Sequence, residues 1–186
     1  MSKKNKILVI GAGGIGSYLI EILDRTKCYD ITIADPDKYE KKNLTYQLCS
    51  GLDVGINKAE AQNMRLGVSH IKYPILTAKQ LWGYDLVICC ADNLDVRRLL
   101  YRENCAWLDL RAQGRNCAYI SYRADRNKHD TLLAGPEGSF SCQGDSWDGN
   151  AKHQHFSHII AAGMGAQWIH RYFAGDDVAD FKVINV

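Results

Sequence analysis

The chain has 186 residues, of which 46% are hydrophobic and 24% charged, and its formal net charge is +2. This composition is ordinary for a soluble globular protein, so we expect one cytoplasmic domain over residues 1–186. The balance of charges argues against binding to nucleic acid or to a membrane surface, and no apolar stretch approaches the roughly 20 residues that cross a bilayer. The seven cysteines have no regular spacing and form no C-x-x-C pair, which argues against a disulfide framework and against a paired-cysteine zinc site.

Apolar runs alternate with turn residues and amphipathic stretches along the chain. In chain order the pattern predicts a strand over 6–10, a helix over 14–25, a strand over 31–35, an irregular stretch over 36–54, a helix over 56–67, strands over 71–76 and 84–90, a helix from about 92 to 104, strands over 106–110 and 117–122, a long loop over 125–150, a helix over 153–173 and a strand over 181–186. Alternation of strands with helices is typical of a sheet covered on both faces. We therefore expect an α/β fold with a doubly wound, mostly parallel, Rossmann-like sheet.

A glycine-rich loop joins the first predicted strand to the first predicted helix. Gly11 allows the tight turn, Gly13 lets the backbone approach a phosphate, and Gly16 lets the helix lie close to the strand. The helix that begins near Gly14 directs its N-terminal amides at that phosphate. Asp35 follows at the tip of the second strand, where a carboxylate accepts hydrogen bonds from ribose hydroxyls. The loop and the acid together predict a nucleotide site. A nicotinamide or flavin site is the alternative, because it would use the same glycines and the same acid.

Four further motifs follow the glycine loop. They are Asp35-x-Asp37, Asn43-Leu44-Thr45-Tyr46-Gln47, Asp53-Val54-Gly55-Ile56-Asn57-Lys58-Ala59 and Ala91-Asp92-Asn93-Leu94-Asp95-Val96-Arg97. A Rossmann dehydrogenase has no reason to carry the last three. The ordered set resembles the ATP-dependent activating enzymes of the ThiF/MoeB/HesA type, the family that includes ubiquitin-activating enzymes. The resemblance extends from residue 6 to about residue 105 and is loose beyond it.

This resemblance implies ATP and Mg²⁺ as cofactors and adenylation of a carboxylate as the reaction. Attack on the α-phosphate displaces pyrophosphate, so the charge that develops on the phosphates has to meet cations and fixed donors. At the matching positions Lys58 is the phosphate cation and Asp92 is the oxygen ligand of Mg²⁺. Asn43 and Gln47 add neutral hydrogen bonds, and Asp35 binds the ribose. The implied catalytic residues are Asp92, Lys58 and Asn43, and the implied nucleotide-binding residues are Gly11, Gly13, Gly14, Gly16, Asp35, Asp37, Gln47, Lys58, Asp92 and Asn93.

Two features depart from the family pattern. Tyr46 stands where the motif Asn-Leu-x-Arg-Gln has a phosphate-binding arginine, and a tyrosine hydroxyl supplies neither a charge nor a bidentate fork. Only a short stretch precedes the first strand, where the family has a helix that donates a second arginine across a homodimer. We expect that Arg65, Arg97, Arg111 or a partner supplies the missing cation, or that catalysis is weak or absent.

The predicted long loop and the helix after it contain four further candidate residues. Some family members use a loop cysteine in this region to carry the acyl group as a thioester or persulfide, and Cys142 is the thiol at that place. An incidental loop cysteine is the alternative. His153, His155 and His158 would form a zinc site with Cys142, although the spacing matches no standard pattern. Polar histidines at a junction between a loop and a helix are the simpler interpretation.

We therefore expect a compact adenylyltransferase that activates the C-terminus of a ubiquitin-like or sulfur-carrier protein and acts as a homodimer or heterodimer. A second interpretation is a degenerate, non-catalytic member that keeps the nucleotide pocket or only the scaffold. The residue Tyr46 favours this second interpretation, whereas intact Asp35, Lys58 and Asp92 oppose it. A third interpretation, an NAD-dependent oxidoreductase, predicts nicotinamide binding without magnesium.

Overall fold

The computed structural model describes residues 3–133, 142–144 and 147–186, and in these residues seven strands form one central sheet. The strands are β1 (Asn5–Ile10), β2 (Tyr29–Ala34), β3 (Ser69–Ile71), β4 (Leu86–Cys89), β5 (Trp107–Gln113), β6 (Asn116–Ser121) and β7 (Phe181–Asn185). The helices are α1 (Gly14–Thr26), α2 (Lys58–Leu66), α3 (Leu94–Arg102), α4 (Arg126–Leu133) and α5 (Ser157–Ala174). None of these helices combines the length and the apolar character that a bilayer crossing requires.

The strand order is β3-β2-β1-β4-β5-β6-β7, and the strands from β3 to β5 run parallel to one another. The last two strands, β6 and β7, pair antiparallel. One row of paired residues crosses the sheet near its carboxyl edge, from Ala34 through Ile10 and Cys89 to Asp109. The chain order reverses between β1 and β4, which is where open α/β sheets bind ligands. The predicted doubly wound, mostly parallel α/β fold is confirmed.

Both faces of the sheet are buried, because successive side chains of a strand point to opposite faces. Ile7 and Val9 of β1 pack in one apolar cluster with side chains of α1 and α5. Leu8 and Ile10 pack in a second cluster on the other face, together with Leu100 of α3. All four β1 side chains are almost completely buried, as the unbroken apolar run predicts for a central parallel strand.

Helix α5 lies against α1, β5 and β6, and it approaches the sheet closely because it carries small residues. A Cβ atom added to Gly165 would lie 2.5 Å from Cδ1 of Leu110. Gly163, two residues earlier, points away from the sheet and has no atom within 4 Å of that position. Only the glycine on the sheet side is therefore required for packing.

Most elements begin and end within three residues of their predicted bounds, and two differ by more. The predicted strand 71–76 corresponds to β3, which ends at Ile71. Pro74 lies beyond that end and has no N–H to donate to a sheet, so the chain turns there instead of continuing the strand. The predicted helix 153–173 corresponds to α5, which begins only at Ser157.

The predicted loop over 125–150 begins with a helix, α4. Its buried residue His129 lies against the rings of Tyr101 and Trp107, with centroid distances of 4.9 and 5.0 Å. This contact joins residues that are more than 20 positions apart in the sequence, so local turn propensity did not predict the helix. The stretches 134–141 and 145–146 of the predicted loop lie outside the described residues.

Candidate active site

An open cleft of about 1390 Å³ lies at the carboxyl ends of the parallel strands, where the chain order reverses. Its walls include nearly all the residues that the sequence implicates in nucleotide binding. These are Gly11, Gly13, Gly14, Asp35, Asp37, Asn43, Gln47, Lys58, Asp92 and Asn93. Only Gly16 of the predicted set lies behind the wall, under the loop.

The glycine loop has the tight conformation that its sequence predicts. Gly11 has φ +95°, and a Cβ atom there would lie 2.8 Å from the backbone N of Ala91. A Cβ atom on Gly16 would lie only 1.9 Å from the carbonyl oxygen of Gly11. A Cβ atom on Gly13 would lie 3.8 Å from its nearest neighbour, Nε2 of Gln47, so this part of the backbone is open to the cleft. The loop thus presents backbone amides and the N-terminus of α1 to the cleft, a geometry that suits a phosphate.

Asp35 is 4% exposed and holds the glycine loop against the segment that follows β2. Its carboxylate accepts the backbone N–H of Ala12 at 2.6 Å and that of Asp37 at 2.8 Å. Burial raises the pKa of the Asp35 carboxyl, and the nearby Lys58 ammonium opposes that shift. The acid therefore organises the loop directly, and contact with a ribose would use its remaining lone pairs.

Asn57 is a site residue that our sequence analysis missed. Its Nδ2 donates to the backbone oxygens of Asp35 at 2.8 Å and Asp37 at 3.0 Å, while its Oδ1 caps α2 by accepting the N–H of Glu60 at 3.1 Å. The available signal was an asparagine directly before a helix, with a glutamate three residues later. Through these bonds Asn57 sets the position of Lys58, the first residue of α2.

Lys58 points its side chain into the cleft, although only 11% of that side chain is exposed. Its Nζ lies 3.4 Å from Oδ2 of Asp37, whose side chain is 68% exposed. The ammonium is therefore held at the cleft wall by one exposed carboxylate, which is weak support in water. A phosphate group bound on the glycine loop would give this cation a stronger partner.

Asn43 and Gln47 belong to a short 3₁₀ turn and the residues after it, on the same wall. Asn43 accepts the backbone N–H of Glu40 at 2.8 Å and donates to the hydroxyl of Tyr46 at 3.2 Å. Gln47 is buried, and its Oε1 has no hydrogen-bond partner among the described residues. A buried acceptor without a partner is costly, and the residue that carries it lines the cleft.

Tyr46 does not act as a substitute for an arginine. Its ring meets Trp147 edge to face at 5.7 Å and His158 at 6.3 Å, so it forms part of an aromatic wall of the cleft. Arg65, one of the three arginines considered as replacements, does not line the cleft. It pairs with Glu21 of α1 at 2.9 Å and therefore holds two helices together.

The other two arginines, Arg97 and Arg111, both line the cleft and share one buried carboxylate. Asp109 accepts Arg97 Nε at 3.1 Å, Arg111 Nε at 3.0 Å and the hydroxyl of Tyr101 at 2.7 Å. Burial opposes the charge on Arg97, but Asp109 and its other neighbours outweigh that effect and raise its pKa. Burial and Asp109 likewise raise the pKa of Tyr101, which keeps its hydroxyl a donor.

Asp92 is exposed in the cleft, three residues beyond the end of β4 at Cys89. The residue that caps α3 is Asn93, whose Oδ1 accepts the N–H of Asp95 at 2.7 Å, so the carboxylate of Asp92 is not used as the helix cap. A carboxylate at this place, beside the candidate phosphate site on the glycine loop, matches the way Mg²⁺ is held by one or two carboxylates and substrate phosphates. The donor set present therefore fits the implied metal.

Cys142 lies directly over the glycine loop. A Cβ atom on Gly14 would approach its Sγ to 2.5 Å, and the thiol lines the cleft. Burial raises the pKa of Cys142 to about 11, with Asp92 adding to the shift and Lys58 opposing it. The thiol is therefore close to the candidate phosphate site but protonated at neutral pH.

Of the three histidines, His158 lies near this thiol, because its Cβ and Cys142 Sγ both lie within 4 Å of the place that a Cβ atom on Gly14 would take. His158 is fully buried and lies near Gln143 Nε2 at 3.4 Å, and burial lowers its pKa. His153 pairs with Asp148 at 2.9 Å on the surface, and His155 donates its backbone N–H to Gln143 at 2.8 Å. Throughout the described part of the chain, no three His, Cys, Asp or Glu residues form a metal-binding group. The zinc interpretation finds no support there.

Comparison with structures of known proteins shows that the fold has close counterparts. E. coli MccB matches with a TM-score of 0.74 and 21% identity over 99% of this chain and 60% of MccB. MccB has been solved with ATP, and with AMPCPP and MccA. A second match, TcdA (CsdL), has a TM-score of 0.56 and 25% identity over 62% of this chain and 55% of its own.

Curated relatives match about half of this chain. The adenylyltransferase and sulfurtransferase MOCS3 of Drosophila sechellia is 29% identical over 109 residues, which are 53% of this chain and 24% of MOCS3. The adenylyltransferase and sulfurtransferase UBA4 of Lodderomyces elongisporus is 36% identical over 110 residues, which are 53% of this chain and 24% of UBA4. The tRNA threonylcarbamoyladenosine dehydratase 2 of Saccharomyces cerevisiae is 28% identical over 105 residues, with coverage of 49% and 24%. The chain thus spans about a quarter of the length of these relatives. The ThiF family profile matches residues 2–109, more than half of the sequence, and the chain belongs to the ThiF family.

Proposed function

We propose that this protein binds ATP with Mg²⁺ in the cleft and adenylates the C-terminal carboxylate of a peptide or small protein. The observation that carries the proposal is the convergence of the glycine loop, Lys58, Asp92 and Gln47 on one cleft. Two of the curated relatives are named adenylyltransferases, which supports the same reaction class. A ubiquitin-like or sulfur-carrier protein, or a peptide as in the MccB complex with MccA, is the class of acyl substrate we infer.

The proposed reaction is a displacement at the α-phosphate. One oxygen of the substrate carboxylate forms a bond to the phosphorus, the bond from that phosphorus to the bridging oxygen breaks, and its electron pair leaves with pyrophosphate. The amides of the glycine loop bind the α-phosphate and Lys58 meets the charge on the leaving group. Asp92 would hold Mg²⁺, which neutralises phosphate charge when it is bound. Asn43 fixes the turn that carries Gln47 and Tyr46.

Calorimetric titration with nucleotides tests this proposal. We expect ATP to bind in the presence of Mg²⁺, to bind at least roughly tenfold more weakly with EDTA, and to lose the metal dependence in Asp92→Asn. Asp176→Asn is the matched control, because Asp176 pairs with Arg171 on the surface beyond the end of α5. Tight NAD binding that does not depend on Mg²⁺ would instead identify an oxidoreductase and refute the proposal.

A degenerate, non-catalytic member is the second candidate, and Tyr46 is the observation that favours it. Its hydroxyl is bonded to Asn43 and its ring packs on Trp147, so the wall lacks the guanidinium of the family motif. Exchange of labelled pyrophosphate into ATP, measured with C-terminal Gly-Gly peptides, distinguishes the two. Magnesium-dependent ATP binding without any exchange would favour the degenerate member, and exchange would favour the enzyme. We also infer a homodimer or heterodimer, which light scattering on the purified chain tests.

A further inference from the structure

The carboxyl edge of the sheet carries two charged groups of residues, one on each side of the glycine loop. The row of paired residues from Ala34 through Ile10 and Cys89 to Asp109 shows the arrangement. The loop after β2, with Asp37 and the lysine bonded to it, lies at one end of this row. Asp109 and its arginines lie at the other end. Because adjacent strands are about 4.8 Å apart, β5 lies about 10 Å from β1 and the loop that follows it.

The group at the β5 end is rigid. Nε of Arg111 donates to Oδ2 of Asp109 at 3.0 Å, and Nη2 forms an ion pair with the same oxygen at 2.9 Å. Nη2 also donates to the hydroxyl of Tyr101 at 3.2 Å. The ring of Tyr101 stacks on Trp107 with a centroid distance of 4.4 Å and an interplanar angle of 6°. Asp109 itself is completely buried. The guanidinium of Arg111 is therefore held in one orientation before any ligand arrives, which lowers the entropy that binding has to offset.

Arg111 is the member of this group that a ligand in the cleft can reach more easily. Its side chain is 19% exposed, against 9% for Arg97 and none for Asp109. The neighbouring cleft wall is formed by small or uncharged residues of β5 and β6, among them Ala112 and Cys117. The two arginines, the carboxylate and the neutral tyrosine carry one net positive charge between them. An anion that enters this part of the cleft meets that positive charge.

The proposed reaction assigns a particular anion to this end of the cleft. In phosphoryl displacement the attacking and leaving oxygens lie roughly in line with the phosphorus. If the α-phosphate rests on the glycine loop and pyrophosphate departs toward Lys58 on the β2 side, the attacking carboxylate has to approach from the β5 side. That is the side on which Arg111 lines the cleft.

We propose that Arg111 binds the acyl substrate's carboxylate through its guanidinium and that Asp109 is the residue that positions it. The assignment rests on the proposed function and adds the substrate side to it. The Arg111 guanidinium orients the carboxylate for attack and favours its ionised form. The bonds that form and break are those of the displacement at the α-phosphate described above. Because the charge of the carboxylate disappears in the acyl adenylate, Arg111 contributes to substrate affinity and orientation and releases the product more easily.

Binding of a small carboxylate probe tests the assignment. The protein is saturated with Mg²⁺ and a non-hydrolysable ATP analogue, and N-acetyl-glycylglycine or its C-terminal amide is titrated in, with binding followed by the NMR signals of the arginine Nε–H groups. We expect the wild type to bind the acid at least roughly tenfold more tightly than the amide, because a charge-assisted pair is lost in the amide. Arg111→Gln should abolish this preference and leave the affinity for the ATP analogue unchanged.

Three further variants separate a binding role from a structural one. Arg111→Lys keeps the positive charge but loses the bidentate geometry of the guanidinium, so it should retain only part of the preference for the acid over the amide. Asp109→Asn leaves Arg111 in place without its anchor, and we expect a weaker acid preference with an altered Nε–H shift of Arg111. Arg25→Gln removes one positive charge at an exposed pair with Glu21 and should change nothing, which excludes a general effect of net charge. Thermal unfolding of each variant confirms that it is folded.

The outcomes distinguish this inference from the proposed function. Failure of the wild type to bind the ATP analogue refutes the proposed function and the assignment together. Binding of the analogue without a preference for the acid over the amide overturns the assignment alone, as does a preference that survives in Arg111→Gln. Weakened binding of the ATP analogue or of inorganic pyrophosphate to Arg111→Gln shows that this arginine holds the phosphates, and also overturns it.

Discussion

The replacement of Gly16 by alanine tests whether the packing of α1 on the glycine loop sets the nucleotide site. The added Cβ would lie 1.9 Å from the carbonyl oxygen of Gly11, 2.8 Å from its carbonyl carbon and 3.4 Å from Cβ of Cys90. Real Cβ atoms essentially never come within 3.0 Å of such neighbours, so the helix and the loop must separate by at least 1.1 Å, the difference between 3.0 and 1.9 Å. A backbone carbonyl cannot rotate away as a long side chain can. The whole loop therefore has to move.

This displacement has two measurable consequences. Forced overpacking costs about 1–3 kcal/mol of the free energy of unfolding, which urea denaturation measures. A misplacement of about 1 Å in a positioned site reduces activity by roughly a hundredfold, and we expect ATP affinity, measured by calorimetry, to fall by at least tenfold.

Gly163→Ala is the matched control for this substitution. Gly163 is exposed within α5, and its added Cβ meets no atom within 4 Å. Alanine in a helix interior is favoured over glycine by about 0.5–1 kcal/mol, so this variant should be slightly more stable and bind ATP as the wild type does. Unchanged stability and ATP affinity in Gly16→Ala would refute the reasoning, because they would show that the loop yields without cost.

The remaining predictions concern buried ionisable groups. Asp109→Ala should lower the free energy of unfolding by about 3–5 kcal/mol in urea denaturation, because Arg97 is then left buried without its carboxylate; a loss below 1 kcal/mol would contradict this. Burial raises the pKa of Asp35 in the folded state above 3.8. The folded protein therefore binds this proton more tightly than the unfolded protein does. As a result, the contribution of Asp35 to stability falls as the pH rises from 3.8 through the folded-state pKa. Asp35→Asn should remove that part of the pH dependence of urea midpoints, and an unchanged profile would exclude Asp35 as its source. With a pKa of about 11, Cys142 has roughly a hundredfold less thiolate near neutral pH than a thiol with a pKa of about 9. Peptide mapping after iodoacetamide treatment should find Cys142 alkylated more slowly than the exposed Cys28, with a rate that still rises above pH 9, and equal rates at pH 7.5 would contradict its burial.

Local sequence patterns determined the fold class and one side of the candidate site. The apolar run of β1, the glycines after it and Asp35 at the end of β2 are close in sequence, and each follows from strand burial, a positive φ or a close backbone approach. Elements defined by local spacing were therefore predicted well. The resemblance to the ThiF family added Lys58 and Asp92, which the structure brings to the same cleft.

Only the tertiary structure decided how the charges of this protein are distributed. Arg65, Arg97 and Arg111 are equivalent in the sequence as possible phosphate cations, yet one bridges two helices while the other two share Asp109 beside the cleft. The helix α4 depends in the same way on the contact of His129 with aromatic residues distant in sequence. An ion pair or a buried contact depends on which residues the strand order and register bring within a few ångströms, and no periodicity of a single segment carries that information.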